Sequence, residues 1–317
     1  MGRSRSSLRT IGLREKFRQA KTLWRLRNVN EDRRAIIAWL VDEIDGYRET
    51  FERLTGRSFA DARIFEIGFG AQPFRLIALN SMGFHARGID IDLPMLRFSP
   101  ARLLRIARTN GLERALKTAV RNLFFDRNEL KWLRQALEHQ GYRLKVDESC
   151  FEIGDVAKAD LGEPVDVVIS EHVFEHIPRA DMDRVLAKIC RLLSPGGLAL
   201  ITPDIFTGIA GGHLPEWYWD EEGDERLREA EPWEHLRKKR FRANTYLNEF
   251  TRREYREHFA RWFEIVEERV LAPDLGRHRL TPQIREQLSE WDDDELFSNS
   301  VQFVLRPRQV ATGGKAR

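Results

Sequence analysis

Cysteine is almost missing from this chain: Cys150 and Cys190 are all that occur in 317 residues. Two are too few for a disulfide framework, which fits a reducing compartment. Long hydrophobic runs are missing as well. Stretches such as "AIIAWLV" and "VDVVIS" fall far short of the roughly 20 residues of a membrane span. The N-terminus alternates Arg with Ser and has no apolar segment of the signal-peptide kind. A soluble, cytoplasmic protein is expected. Net charge is nearly absent too, since 53 Lys and Arg against 50 Asp and Glu leave +3. With 42% hydrophobic residues and a mean hydropathy of −0.50, the length suits one large α/β domain with additions, or two smaller domains.

The distribution of charge says more than its sum. Arg3, Arg5, Arg9, Arg14, Lys16, Arg18, Lys21, Arg25 and Arg27 crowd the N-terminus, and "LRKKRFR" (Leu236 to Arg242) is a second basic run. Met1-Gly2 with Ser6 matches a myristoylation acceptor followed by basic residues, so peripheral membrane contact through the N-terminus is one expectation. Apolar residues recur at helical spacing from Leu13 through Trp24 and from Ile36 to Ile44. Residues 1–61 therefore read as a basic helical extension capping the main domain.

From Ala62 apolar runs alternate with amphipathic segments, the pattern of a parallel sheet with crossover helices. "ARIFEIG", "HARGIDID", "FEIGD", "VDVVIS" and "GLALITP" read as five strands, and "WFEIVEERVL" and "NSVQFVLRP" as two more at a far edge. A helix opened by Pro178 carries Met182, Val185, Leu186, Ile189 and Leu193 on one face, and another covers Thr251 to Ala260. Two insertions break the rhythm, residues 93–149 and 205–248; the second is dense in Trp, Tyr and charge. The domain is expected over 62–308, with a disordered tail at 309–317.

One turn carries the chemical signal. In "RIFEIGFGAQPF" a strand runs into Gly68-Phe69-Gly70, and a helix starts near Pro73. Backbone amides without Cβ atoms at a helix N-terminus admit a ligand closely. The turn lacks the third glycine of a dinucleotide fingerprint, because Pro73 stands there, and lacks the Lys and Ser or Thr of a P-loop. Glu66 repels a pyrophosphate and attracts an ammonium or sulfonium group. Asp90, ending the second strand, suits two ribose hydroxyls. Each residue also has a structural reading: a tight turn for the glycines, an arginine partner for Glu66, a surface strand end for Asp90 and Asp155.

The sequence resembles the class I S-adenosylmethionine-dependent methyltransferases. "FEIGFG", "GIDID", "GDVAKAD", "DVVISEHVFEHIP" and "LAKICRLLSPGGLALIT" follow that family's order across Ala62 to Pro203. The resemblance implies an α/β fold with a doubly wound, mostly parallel seven-stranded sheet, an N-terminal helical cap and helical insertions. It implies S-adenosylmethionine as cofactor, with Glu66, Gly68 and Gly70 toward its methionine part and Asp90 on the ribose. Asp155 and Val156 would meet the adenine, and Ser170, Glu171 and His172 the floor of the site. The family's usual third glycine is Gln72 here.

Methyl transfer to a hydroxyl needs alignment and a base. The place after the fourth strand reads Ser170-Glu171-His172-Val173 rather than the N/D-P-P-Y/F element of amide and exocyclic-amine methyltransferases. That argues against planar nitrogen on nucleic-acid bases; oxygen is the expected acceptor atom. His172, His176 and His213 are candidate bases, with His172 preferred; His176 reads equally as a helix-start residue. "GGHLPEWY" reads as a mobile loop opened by its glycines or as a packed surface loop. Metal-ligand spacing is not evident, so metal is not expected. The basic runs and aromatics suit a small-molecule or glycan-like, anionic acceptor. Two other readings stay open: an RNA-directed methyltransferase or RNA-binding protein, with salt-dependent affinity, and an inactive cofactor-binding scaffold.

Overall fold

The computed structural model describes residues 30–96, 99–121, 127–213, 231–239 and 246–308. The chain before residue 30, residues 214–230, residues 240–245 and the tail after 308 lie outside them, and with them the basic N-terminal run, the myristoylation pattern, the aromatic stretch, the end of "LRKKRFR" and the expected disordered tail.

Helix α1 (Asn30–Thr55) places Ile37, Val41, Ile44, Tyr47 and Phe51 on one buried stripe. The spacing of three and four makes that stripe continuous, and it packs on α2 (Phe74–Ser81) and on the sheet. The α1 stripe is thus part of the core around β1 and β4. Strands β1 (Arg63–Ile67), β2 (His85–Asp90), β3 (Phe151–Ile153), β4 (Val165–Glu171) and β5 (Leu193–Thr202) run parallel, and β6 (Phe263–Val270) and β7 (Val301–Pro307) close the far edge. The order is β3-β2-β1-β4-β5-β7-β6, with β7 antiparallel to both neighbours. This is the seven-stranded, doubly wound arrangement that the sequence leads one to expect.

Every residue of β4 is buried, as the continuous run "VDVVISE" requires of a central strand covered on both faces. The insertion between β2 and β3 forms α3 (Pro100–Asn110), α4 (Leu112–Arg121) and α5 (Arg127–His139). Helix α6 (Arg179–Leu192) crosses from β4 to β5 and buries Met182, Val185, Leu186 and Ile189 as read from its spacing. Beyond the short α7 (Glu234–Arg237), α8 (Arg252–Trp262) starts with a capping box between Thr251 and Glu254. Residues 271–300, which carry no strong period, form α9 (Pro282–Gln287), α10 (Asp293–Leu296) and turns. Ile209, Trp233, Leu288, Leu296 and Phe297 make a satellite core there, under the loop that carries His213.

Strand order reverses between β1 and β4, and ligands in such sheets sit at the carboxyl ends of the strands beside that switch. No described helix is long and apolar enough to cross a membrane.

Candidate active site

Gly68 and Gly70 follow β1 with φ of 81° and 68°, a backbone region that L side chains rarely enter. Their surroundings differ. A Cβ on Gly68 would meet the Val173 side chain at 2.1 Å, whereas on Gly70 the nearest atom would be 3.9 Å away. Gly68 is therefore needed for packing, and Gly70 leaves open space. The turn is tied across the sheet edge: Gly68 N–H donates to Ile89 O at 2.8 Å and Gly70 N–H to Asp90 Oδ2 at 2.7 Å. Asp90 Oδ1 accepts from Asp92 N–H at 2.6 Å. Gln72, where the family has its third glycine, hydrogen-bonds through its side-chain amide to buried Glu129 on α5, tying the turn to the helical insertion.

Glu66 takes the structural alternative in part. It is 1% exposed, and its Oε1 pairs with Arg75 Nη1 at 3.1 Å, while Arg75 Nη2 reaches Glu43 Oε2 at 2.9 Å. Its Oε2 is buried with no hydrogen-bond partner. Burial pushes the Glu66 carboxyl up, against the pull of Arg75. A neighbouring strand of the same network joins the cap to the site, since Tyr47 OH donates to Glu171 Oε1 at 2.9 Å. Burial, then Glu43, raises Glu171 to about 7.

The remaining predicted residues fall along the same edge. Ser170 is fully buried and donates its hydroxyl to Ile67 O at 3.0 Å, which stitches β4 to β1. Asp155 follows β3, accepts from Ala157 N–H at 2.9 Å and pairs with Lys158. Burial works to raise its pKa, but Lys158 and that amide outweigh it and hold the carboxyl below its usual range. Val156 packs, half-buried, on the main core.

Past β4 and β5 the structure gathers five groups that are scattered in sequence. His172 Nδ1 lies 2.8 Å from Asp204 Oδ1. His213 Nε2 is 3.5 Å from Asp204 Oδ2 and 3.9 Å from Glu175 Oε1, and His176 Nε2 is 3.7 Å from the same Glu175 oxygen. His172 and His213 have φ of 55° and 51°, left-handed conformations of the kind that cluster at functional sites. The turn bearing Glu175 and His176 is braced by Asn248: its N–H donates to Glu175 O at 2.8 Å, and its amide to Phe174 O at 2.7 Å and Ile177 O at 3.2 Å. His213 is seated rather than hinged. A Cβ on Gly211 would fall 2.3 Å from Phe206 O, and on Gly212 2.6 Å from the His235 ring, so these glycines serve close packing.

Desolvation opposes a charge on His172, although its side chain is 47% exposed, but Asp204, by charge and hydrogen bond, outweighs it and lifts the imidazole to about 10. The Asp204 carboxylate thus favours the charged form of His172. Burial holds His176 below its usual value and takes His213 down to about 4. Burial, then the Asp204 carboxylate, pushes Glu175 up to about 8. Glu175 and Asp204 were not singled out in the sequence. The visible signals are the acid inside "FEHIP" and the acid directly after the fifth strand.

A family model described as a methyltransferase domain matches residues 41–264. The chain belongs to the S-adenosylmethionine-dependent methyltransferases. Its methyl donor is S-adenosylmethionine, and the protein is an enzyme of that class. No protein of curated function matches it in sequence. Solved structures similar to this methyltransferase include a TehB-like S-adenosylmethionine-dependent methyltransferase from Corynebacterium glutamicum, 13% identical, covering 86% of this chain and 87% of that one with a TM-score of 0.39. A methyltransferase from Mesorhizobium loti is 16% identical over 79% of this chain and 92% of its own, TM-score 0.41. CalS10 from Micromonospora echinaspora, an amino pentose methyltransferase solved with S-adenosylmethionine bound, is 20% identical over 52% and 50%, TM-score 0.30. The residues here fit that cofactor: the open backbone at Gly70 and the unpartnered buried oxygen of Glu66 suit a close-lying, cationic amino-acid group.

Proposed function

We propose that this enzyme methylates an oxygen of a small-molecule or glycan-like, anionic acceptor, activated by the cluster of His172, Glu175, His176, Asp204 and His213. One observation carries the reading. Val173, between His172 and Phe174, is the side chain packed against Gly68, so the cluster and the glycine turn share one wall at the switch point. In this reading Gly70 and Glu66 hold the amino-acid end of the cofactor and Asp90 its ribose. Asp155 and Val156 border the adenine, while Ser170 and Glu171 form the floor, Ser170 by joining β4 to β1. The cofactor supplies an electrophilic methyl on a sulfonium sulfur. An oxygen–carbon bond forms as the carbon–sulfur bond breaks, the sulfur keeps the pair, and the acceptor's hydroxyl proton must leave. The chain's task is to align that hydroxyl and receive or stabilise the loss of its proton.

Calorimetric titration with S-adenosylmethionine and S-adenosylhomocysteine, with NAD as control, tests the cofactor side. Asp90→Ala removes hydrogen bonds to a charged acceptor worth about 1.5–3 kcal/mol, a loss of about 10- to 150-fold in affinity. Unchanged affinity sinks the ribose assignment. On the acceptor side, His213→Ala is expected to keep cofactor affinity and to lose turnover on any hydroxylated acceptor found by screening.

A further inference from the structure

Glu175 is the most demanding residue of the cluster. Its carboxyl is 3% exposed, and neither oxygen has a hydrogen-bond partner of normal geometry. A buried carboxyl left in that state costs several kcal/mol unless something meets it. Facing it are imidazole nitrogens, the Asp204 carboxylate and the backbone amides of Glu175 and Asp204. His176 Nδ1 lies 2.9 Å from Tyr246 O, a carbonyl that only accepts, so the proton sits on Nδ1 and Nε2 carries a lone pair. That lone pair lies 3.7 Å from Glu175 Oε1. His213 Nε2 lies 3.9 Å from the same oxygen and 3.5 Å from Asp204 Oδ2. Three ligand-type atoms thus converge at separations longer than a hydrogen bond.

A proton on Glu175 removes its charge but spans neither gap, because a hydrogen bond closes to about 3.2 Å or less. A cation spans both. Bonds of about 2.0–2.1 Å at tetrahedral angles put neighbouring donors about 3.4 Å apart. The separations of 3.7 and 3.9 Å exceed that by a few tenths of an ångström. The ligand atoms of Glu175, His176 and His213 all lie within 4.8 Å of one another. The outer partner is also that of a metal site: a carbonyl fixes the His176 tautomer.

We propose that Glu175, His176 and His213 bind a divalent first-row transition-metal ion, with its remaining positions open to solvent or acceptor. Two imidazoles with a carboxylate suit Zn2+ or Mn2+ better than Mg2+ or Ca2+, which take oxygen donors. Binding of the metal stands apart from the acceptor reading. Its purpose rests on that reading: a cation beside the acceptor lowers the pKa of a hydroxyl brought against it, so the proton departs to solvent before transfer.

Full-length protein stripped with a chelator is titrated with ZnCl2 against a chromogenic competitor, and Co2+ is added separately to read its d–d absorption. The expected result is one equivalent of Zn2+ bound and a tetrahedral or five-coordinate Co2+ spectrum. His176→Ala and His213→Ala each lose at least about 100-fold in Zn2+ affinity, and the isosteric Glu175→Gln loses at least about tenfold. His278→Ala, at an exposed position of the turn Arg277–Arg279 and outside the cluster, leaves affinity unchanged. Absence of stoichiometric binding in folded wild-type protein overturns the proposal, as does equal affinity in the His176 and His213 variants. S-adenosylmethionine affinity measured on the same samples separates the two readings. Retained cofactor binding without metal binding removes the metal and leaves the methyltransferase; metal binding without cofactor binding does the reverse.

Discussion

The two glycines of the turn make a paired prediction, because they share a backbone conformation and differ in surroundings. A left-handed φ costs an L residue about 1–2 kcal/mol. Gly68→Ala and Gly70→Ala both incur that cost, at φ of 81° and 68°. Gly68→Ala also drives a methyl to 2.1 Å from Val173 Cγ2, and forcing extra volume into a packed region adds about 1–3 kcal/mol. Urea unfolding is therefore expected to show a loss of about 2–5 kcal/mol for Gly68→Ala and about 1–2 kcal/mol for Gly70→Ala. Cofactor titration should order them the other way per unit of lost stability. The Gly70 methyl enters the open face of the turn, so at least a tenfold loss of S-adenosylmethionine affinity is expected, about 1.4 kcal/mol. Adding Val173→Ala to Gly68→Ala recovers the clash but not the backbone strain, giving a favourable interaction of about 1–3 kcal/mol in a double-mutant cycle. Equal destabilisation by both glycine variants refutes the packing argument. Normal cofactor affinity in folded Gly70→Ala refutes the use of that open face.

The remaining predictions concern what holds the site in place. Asp166 is buried and accepts from Ser194 Oγ at 2.6 Å, Arg57 Nη2 at 2.6 Å and Arg63 N–H at 3.0 Å. Burial alone would raise its pKa; those bonds outweigh it and depress it strongly. Its stabilisation is thus complete above the unfolded value of about 3.9 and is lost as pH falls below that toward the depressed folded value. Asp166→Asn is expected to flatten the dependence of urea midpoint on pH below about 4, and an unchanged slope contradicts the assignment. Tyr47→Phe removes the donor to Glu171 Oε1 and leaves a buried carboxyl oxygen without it, at a cost of about 1–3 kcal/mol by urea unfolding. A neutral result there means that the Tyr47–Glu171 bond does not hold the cap helix.

Much of the fold is legible because its determinants are local. Continuous apolar runs such as "VDVVIS" can only be satisfied between neighbouring strands, and the three-and-four spacing of Met182, Val185, Leu186 and Ile189 exposes a helix face within a dozen residues. The glycine turn is legible for the same reason, since strand, glycines and helix start follow one another directly. The short helices of 282–287 and 293–296 leave no comparable period, because their few apolar residues serve a satellite core rather than a long stripe. Gly211 and Gly212 show the limit of reading composition: glycines next to each other suggest freedom, yet each is fixed by a neighbour distant in sequence.

His172, His176 and His213 are candidates in the sequence, but their convergence with Glu175 and Asp204 was illegible for a topological reason. Spacing rules find ligand sets whose members lie three or four apart on one helix or two apart on one strand. Here the donors come from the end of β4, from the turn before α6, and from two positions after β5, 29 and 38 residues beyond Glu175. Parallel strands need a crossover of a dozen or more residues, so groups at adjacent carboxyl ends are always far apart in sequence. What brings Glu175 to Asp204 is the β4–β5 pairing, whose register sets Glu171 opposite Thr202. What brings His213 to both is the packing of Gly211 and Gly212 against Phe206 and His235. A chemical site built this way follows from the sheet order plus one close-packed loop. It could have been sought by asking which His, Asp and Glu residues follow each parallel strand, before asking how they are spaced.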